Sequence, residues 1–163
     1  GVTIHKSTVT ATGGDVDITG TGSALATLNY NQGIFAQGST MSAGGAISFT
    51  GNGGTGTNNN HGIQIHSTAL NATGALTLTG TADASTSGTL NCGIYISNSS
   101  TLNGAGGVSV VTGFGGGGTG KNHGIYMTRD TSTSLTEPDF VGTAGDPGAP
   151  NSLDRAGTHS YFN

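Results

Sequence analysis

Four residues with some capacity for chemistry occupy one position of a recurring phrase. Asn31-Gln32-Gly33-Ile34, Asn60-His61-Gly62-Ile63, Asn91-Cys92-Gly93-Ile94 and Asn122-His123-Gly124-Ile125 share the pattern Asn-x-Gly-Ile, with Gln32, His61, Cys92 and His123 at x. Imidazole and thiolate are ligands for Zn²⁺ or copper, and a Cys near a His is the start of a nucleophile pair. Set one above another, His61, Cys92 and His123 form a line. A tetrahedral site needs convergence on a point, and no oxyanion element accompanies the cysteine. The residues therefore read as a side-chain ladder, with no metal, no cofactor and no catalytic role. Asp15 and Asp17 lie two apart on a strand, share its outward face, and are of the type that binds Ca²⁺ or cleaves glycosidic bonds. The matching positions of the next units are Gly45, Ala46 and Ser48, then Ala75 and Thr77, so no third acid joins and the pair reads as a solvated edge.

Aromatic and hydroxyl side chains recur as well. Phe35, Tyr95 and Tyr126, with Gln64 at the equivalent place, alternate with the repeated Ile and should face outward. Such a row is a candidate ligand-binding platform for sugar rings or a lateral contact with another protein. Stiffening of the surface, or cover by the C-terminal segment, competes with that role. Thr50, Thr77 and Thr79 suggest a hydroxyl ladder that orders water, interrupted by Asp17, Ser48 and Val111. Asn71-Ala72-Thr73 and Asn98-Ser99-Ser100 match the N-glycosylation acceptor pattern. Asp146-Pro147 reads as a turn.

These positions are organised by a repeat. After each Asn-x-Gly-Ile comes Ser39-Thr40-Met41, Ser67-Thr68-Ala69-Leu70 or Ser100-Thr101-Leu102, and Ser7-Thr8-Val9 follows Gly1-Val2 in the same way. A third phrase follows: Val16-Asp17-Ile18-Thr19-Gly20, Ile47-Ser48-Phe49-Thr50-Gly51, Leu76-Thr77-Leu78-Thr79-Gly80 and Val108-Ser109-Val110-Val111-Thr112-Gly113. Each phrase alternates apolar and polar residues, the period of a strand with one face in and one out. Glycine-rich stretches between them supply the positive φ angles of turns.

One such unit cannot bury its apolar face alone, but stacked units can. The architecture expected is an all-β parallel β-solenoid of about 30 residues per coil, with four full coils, a partial fifth and an irregular C-terminal tail. Its inward columns are Val2, Ile34, Ile63, Ile94, Ile125; Ile4, Ala36, Ile65, Ile96, Met127; Val9, Met41, Leu70, Leu102; Val16, Ile47, Leu76, Val108; and Ile18, Phe49, Leu78, Val110. Asn31, Asn60, Asn91 and Asn122 stack at one corner, their amides joining successive coils as in cross-β stacks.

Composition agrees. Gly, Thr, Ser and Asn number 32, 27, 16 and 13 of 163 residues, and Leu, Ile, Val and Phe only 9, 9, 7 and 5. So little bulk excludes a conventional globular core. Eight acidic and four basic residues are too few for a charged random coil, and four cations cannot cover nucleic-acid phosphates. No apolar run reaches the roughly 20 residues of a membrane span. A single cysteine excludes an internal disulfide.

The cadence of Gly-Ile-x-Ile, Ser-Thr, Gly-Gly and Leu-Thr-Leu-Thr-Gly over residues 1–127 resembles the repeats of large secreted bacterial surface proteins, the filamentous-haemagglutinin-like and autotransporter-like adhesins. The resemblance implies a right-handed parallel β-helix, secretion to the cell surface, and a structural or adhesive module without catalysis. Its partners would be other copies of itself or of a parent chain, and host glycans or surface proteins. Two alternatives stand beside it: a subunit of a self-assembling extracellular filament whose tail clasps its neighbour, and a β-helix protein that binds or cleaves polysaccharide. The opening Gly1-Val2-Thr3-Ile4 already lies within the pattern, as in a processed product or a piece of something longer. Residues 1–127 are read as the solenoid domain and 128–163 as a non-repeat tail, because all three prolines and seven of the twelve charges lie beyond Met127. Phe140-Val141 and Tyr161-Phe162 are that tail's apolar anchors.

Overall fold

A computed structural model describes residues 1–128, 130–145 and 153–156. The strands are β1 (Val2–His5), β2 (Thr8–Ala11), β3 (Val16–Thr21), β4 (Ile34–Gln37), β5 (Thr40–Ala43), β6 (Ile47–Asn52), β7 (Ile63–His66), β8 (Ala69–Ala72), β9 (Leu76–Thr81), β10 (Ile94–Ser97), β11 (Thr101–Gly104), β12 (Val110–Phe114), β13 (Ile125–Thr128), β14 (Ser132–Leu135), β15 (Asp139–Thr143) and β16 (Leu153–Ala156). Every third strand joins the same sheet. The orders are β1-β4-β7-β10-β13-β16, β2-β5-β8-β11-β14 and β3-β6-β9-β12-β15, and all pairs are parallel. The fold is a β-solenoid of about five three-strand turns.

Alternation decides the interior. Ile34, Ile63, Ile94 and Ile125 pair in one column and are fully buried; Ala36, Ile65, Ile96 and Met127 form the next. Met41, Leu70 and Leu102 line the second wall, and Ile47, Leu76, Phe49 and Leu78 the third. Ala43 and Ala72 add a buried column that the repeat reading did not single out.

The fourth coil departs from the expected register. Val111 pairs with Leu78 and is fully buried, while Val110 pairs with outward Thr77. The Ser109 hydroxyl accepts from the Leu76 N–H at 3.1 Å, and Val108 is 53 % exposed. Val108 and Val110 are thus not the inward pair; Ser109 and Val111 are. The cause is glycine. Gly20, Gly51, Gly80 and Gly113 share a register column and lie against the carbonyls of Gly33, Gly62, Gly93 and Gly124, where any Cβ would collide with backbone. Gly113 must keep that place, so the residue two before it, Val111, faces in. A one-residue slip exchanges the two faces of a strand.

Positive φ falls at Gly56, Gly107 and Gly118 of the glycine-rich stretches, and also outside them. The residue before each ladder Asn is left-handed without being glycine: Tyr30, Asn59, Leu90 and Lys121, at φ between 56° and 64°. The repeated phrase glycines serve close approach of backbones.

The segment beyond Met127 differs from the irregular tail expected. β14, β15 and β16 pair with β11, β12 and β13, so the coil pattern crosses that boundary. Leu135 is buried and Phe140 packs on the core over Val111, whereas Val141 faces out. Sequence periodicity reached only the first strand of this coil, because the inward residues that follow are mixed, with Thr133 over Leu102 and Leu135 over Gly104. Asp146-Pro147, Pro150 and Tyr161-Phe162 lie outside the described residues.

The register is testable. Val111→Ala should cost about 2 kcal/mol, from lost burial and a residual cavity, while Val110→Ala should stay within about 0.5 kcal/mol. Denaturant unfolding of the two variants checks this; equal losses would contradict the assigned faces.

Candidate functional site

The corner before β4, β7, β10 and β13 collects the Asn-x-Gly-Ile side chains. The carboxamide oxygens of Asn60, Asn91 and Asn122 accept from the backbone N–H groups of Asn31, Asn60 and Asn91, one coil earlier, at 2.9, 3.0 and 2.8 Å, and that of Asn31 accepts from the Ser23 N–H at 2.9 Å. The amide nitrogens donate to loop carbonyls: Asn31 to Ser23 and Thr55, Asn91 to Thr57, and Asn122 to Gly88 and Gly117. Asn60, Asn91 and Asn122 are buried. All four therefore tie the chain to itself.

A second ladder, which the sequence reading contained only as the Ser-Thr phrase, stands at the corner after these strands. Ser39, Thr68 and Ser100 accept from the N–H of Ser7, Ser39 and Thr68 at 3.1, 3.3 and 3.2 Å. Their hydroxyls donate back to the carbonyls of Gln37, His66 and Ser97. Asp130 closes this corner by accepting from the Ser99 N–H at 2.7 Å and the Thr128 hydroxyl at 2.6 Å. The Thr128 hydroxyl, with Ser99 assisting, holds its carboxyl below the usual range.

Between ladder and sheet lie Gln32, His61, Cys92 and His123. Gln32 donates to Gln64 at 2.8 Å. His61 is buried; its Nδ1 accepts from the Cys92 N–H at 3.2 Å. The Cys92 thiol is also buried, and its Sγ meets the Lys121 carbonyl at 3.6 Å. The His61 ring thus meets Cys92 at its backbone N–H. Among the described residues no three His, Cys, Asp or Glu side chains are placed to hold a metal ion. Burial pushes His61 down to about 3.

The aromatic row is split. Phe35, Gln64, Tyr95 and Tyr126 occupy one outward register column, and Gln64 separates Phe35 from the tyrosines. His61 stacks on Tyr95 at 5.0 Å between centroids, Tyr95 on Tyr126 at 5.4 Å and Tyr126 on His123 at 5.5 Å, all within 27° of parallel. A sugar ring stacks on an aromatic face, and both faces of Tyr95 are taken by protein rings. What the stack offers outward is ring edges.

The carboxylates also separate in role. Asp15 accepts from the Ala46 N–H of the next coil at 2.7 Å, while Asp17 is exposed and aligned with Ser48 and Thr77. Asn71 accepts from the Asn103 amide at 2.7 Å, and Asn98 lies near the His66 ring at 3.1 Å. No helix among the described residues is long and apolar enough to cross a membrane. No protein-family model, no curated protein and no solved structure matches the chain.

Asn91→Ala removes the acceptor of the buried Asn60 N–H and the donor to Thr57 at once. It should destabilise the chain by about 2–3 kcal/mol, measured by chemical unfolding. A change under about 0.5 kcal/mol would mean that the ladder contributes little.

Proposed function

We propose that this chain is a non-catalytic structural and adhesive module of an extracellular bacterial surface protein. One observation carries the reading: the recurring polar side chains are engaged in inter-coil hydrogen bonds, so the chemistry that repeats is the chemistry of stacking. Asn, Ser and Thr ladders leave a stiff rod, and variation falls on its outer faces. A support with variable faces suits presentation to glycans or surface proteins. The test is solid-phase binding of the purified chain to panels of glycans and extracellular matrix proteins, beside a reducing-sugar assay on the same polysaccharides. Saturable binding without release of reducing ends is expected. Release of reducing ends, or no binding anywhere on the panels, overturns the reading.

A second reading is favoured by the corrected register. With Val111 inward, Thr112 joins Thr19, Thr50 and Thr79 in one outward column. Ser48 and Thr77 stand on one side of it, and Thr21 and Thr81 on the other. Val111 no longer interrupts the row, while Val110 stands beside Thr77 and Val141 follows Thr112. Hydroxyls and methyls then repeat about 4.8 Å across strands and about 6.7 Å along them, with Asp17 and Asp139 as the charges of the adjoining column. Such a face can order a sheet of water and adsorb to ice. Partition of the protein into a slowly growing ice front, lost in Thr79→Tyr, would support this reading; exclusion of the unmodified protein from ice would end it.

A further inference from the structure

The described part of the molecule contains one buried polar atom that is both titratable and unsatisfied. His61 is 1 % exposed, its Nδ1 accepts from the Cys92 N–H, and its Nε2 has no hydrogen-bond partner. An imidazole whose Nδ1 accepts is neutral and carries its proton on Nε2. Protonation would set an N–H at Nδ1 against the Cys92 N–H, donor against donor. The new charge would be buried with no acceptor at Nε2.

The groups around it offer no compensation. Cys92 faces it from the next coil with a backbone donor, and Tyr95 of β10 covers its ring. Tyr126 of β13 and then His123 lie beyond along the stack. Lys121 enters through its carbonyl at the Cys92 sulfur, and its side chain is exposed. Burial is what disfavours the charged form of His61. Asp130 lies past the opposite end of β13, at the other corner.

The position is also mechanically central. His61 follows Asn60 and Cys92 follows Asn91, and these two asparagines are consecutive rungs of the buried ladder. Displacing the ring breaks the Cys92 bond and unstacks Tyr95, at the same corner in which the Cys92 thiol is buried. We propose that His61 is an acid-sensitive latch: neutral, it closes the corner between the second and third Asn-x-Gly-Ile units; protonated, it must leave, and the Cys92 thiol becomes accessible. This device is independent of what the outer faces bind.

The direction follows from linkage. A histidine held below its unfolded value binds fewer protons folded than open, so the closed state is fully favoured above about pH 6.5 and loses ground as pH falls toward 3. In that window opening grows roughly tenfold per pH unit. The test is labelling of Cys92 in the intact chain with 4,4′-dithiodipyridine from pH 6 to 4, each rate divided by that of N-acetylcysteine under the same conditions. The ratio should rise roughly 50- to 100-fold. His61→Asn keeps an acceptor for the Cys92 N–H but does not titrate, so its ratio should stay nearly flat; His123→Asn should behave as the unmodified protein. An equal rise in His61→Asn, or no rise in the unmodified protein, overturns the latch. Should His61→Asn fail to fold, imidazole ¹⁵N shifts of the unmodified protein decide: a neutral Nε2–H ring down to pH 4 supports the latch, and titration near pH 6.5 refutes it.

Discussion

Two columns of glycine pressed together at one corner govern this structure. Gly20, Gly51, Gly80 and Gly113 meet the carbonyls of Gly33, Gly62, Gly93 and Gly124 so closely that no side chain fits between the backbones. That approach joins the end of one sheet to the start of the next and sets the perimeter of each coil. Strand period then carries the constraint along: residues two before the first glycine of each pair, Ile18, Phe49, Leu78 and Val111, must point into the shaft. A short apolar inventory suffices because the inward residues of the middle coils are stacked on apolar neighbours above and below.

A shaft this narrow leaves its turns with many backbone groups to satisfy. The chain answers with short polar side chains at fixed corners. Asn60, Asn91 and Asn122 reach back one coil to a backbone N–H, and Ser39, Thr68 and Ser100 do the same at the next corner. Turns are further tightened by left-handed Tyr30, Asn59, Leu90 and Lys121, a conformation in which most side chains are disfavoured. Stacking of like on like therefore outweighs local preference. The same economy explains why His61 is closed in: its neighbours satisfy one ring nitrogen and leave the other without a partner.

Polar repetition inside the corners and polar variety outside them have different meanings. Inside, a hydroxyl or amide is committed to the adjacent coil. Outside, the column of Thr19, Thr50, Thr79 and Thr112 and the ring edges of Tyr95 and Tyr126 face whatever lies beyond the molecule. Functional interest therefore attaches to the flat faces.

Much of this was legible in the residues alone. Recurrence of Asn-x-Gly-Ile, Ser-Thr and Leu-Thr-Leu-Thr-Gly determined that the chain stacks in parallel coils, and the inward columns of the first three coils follow from period two. The Asn corner was legible too, because an amide recurring at one place has few other uses. Local pattern could not decide the fourth coil, where Val108, Val110 and Val111 offer both faces as apolar and only the seat of Gly113 against Gly124 selects Val111. Nor could it find the second and third strands of the fifth coil, β14 and β15, whose inward residues are mixed. The burial of His61 and the closed faces of Tyr95 depend on which rings neighbouring coils bring together, and that contact exists only once the coils are stacked.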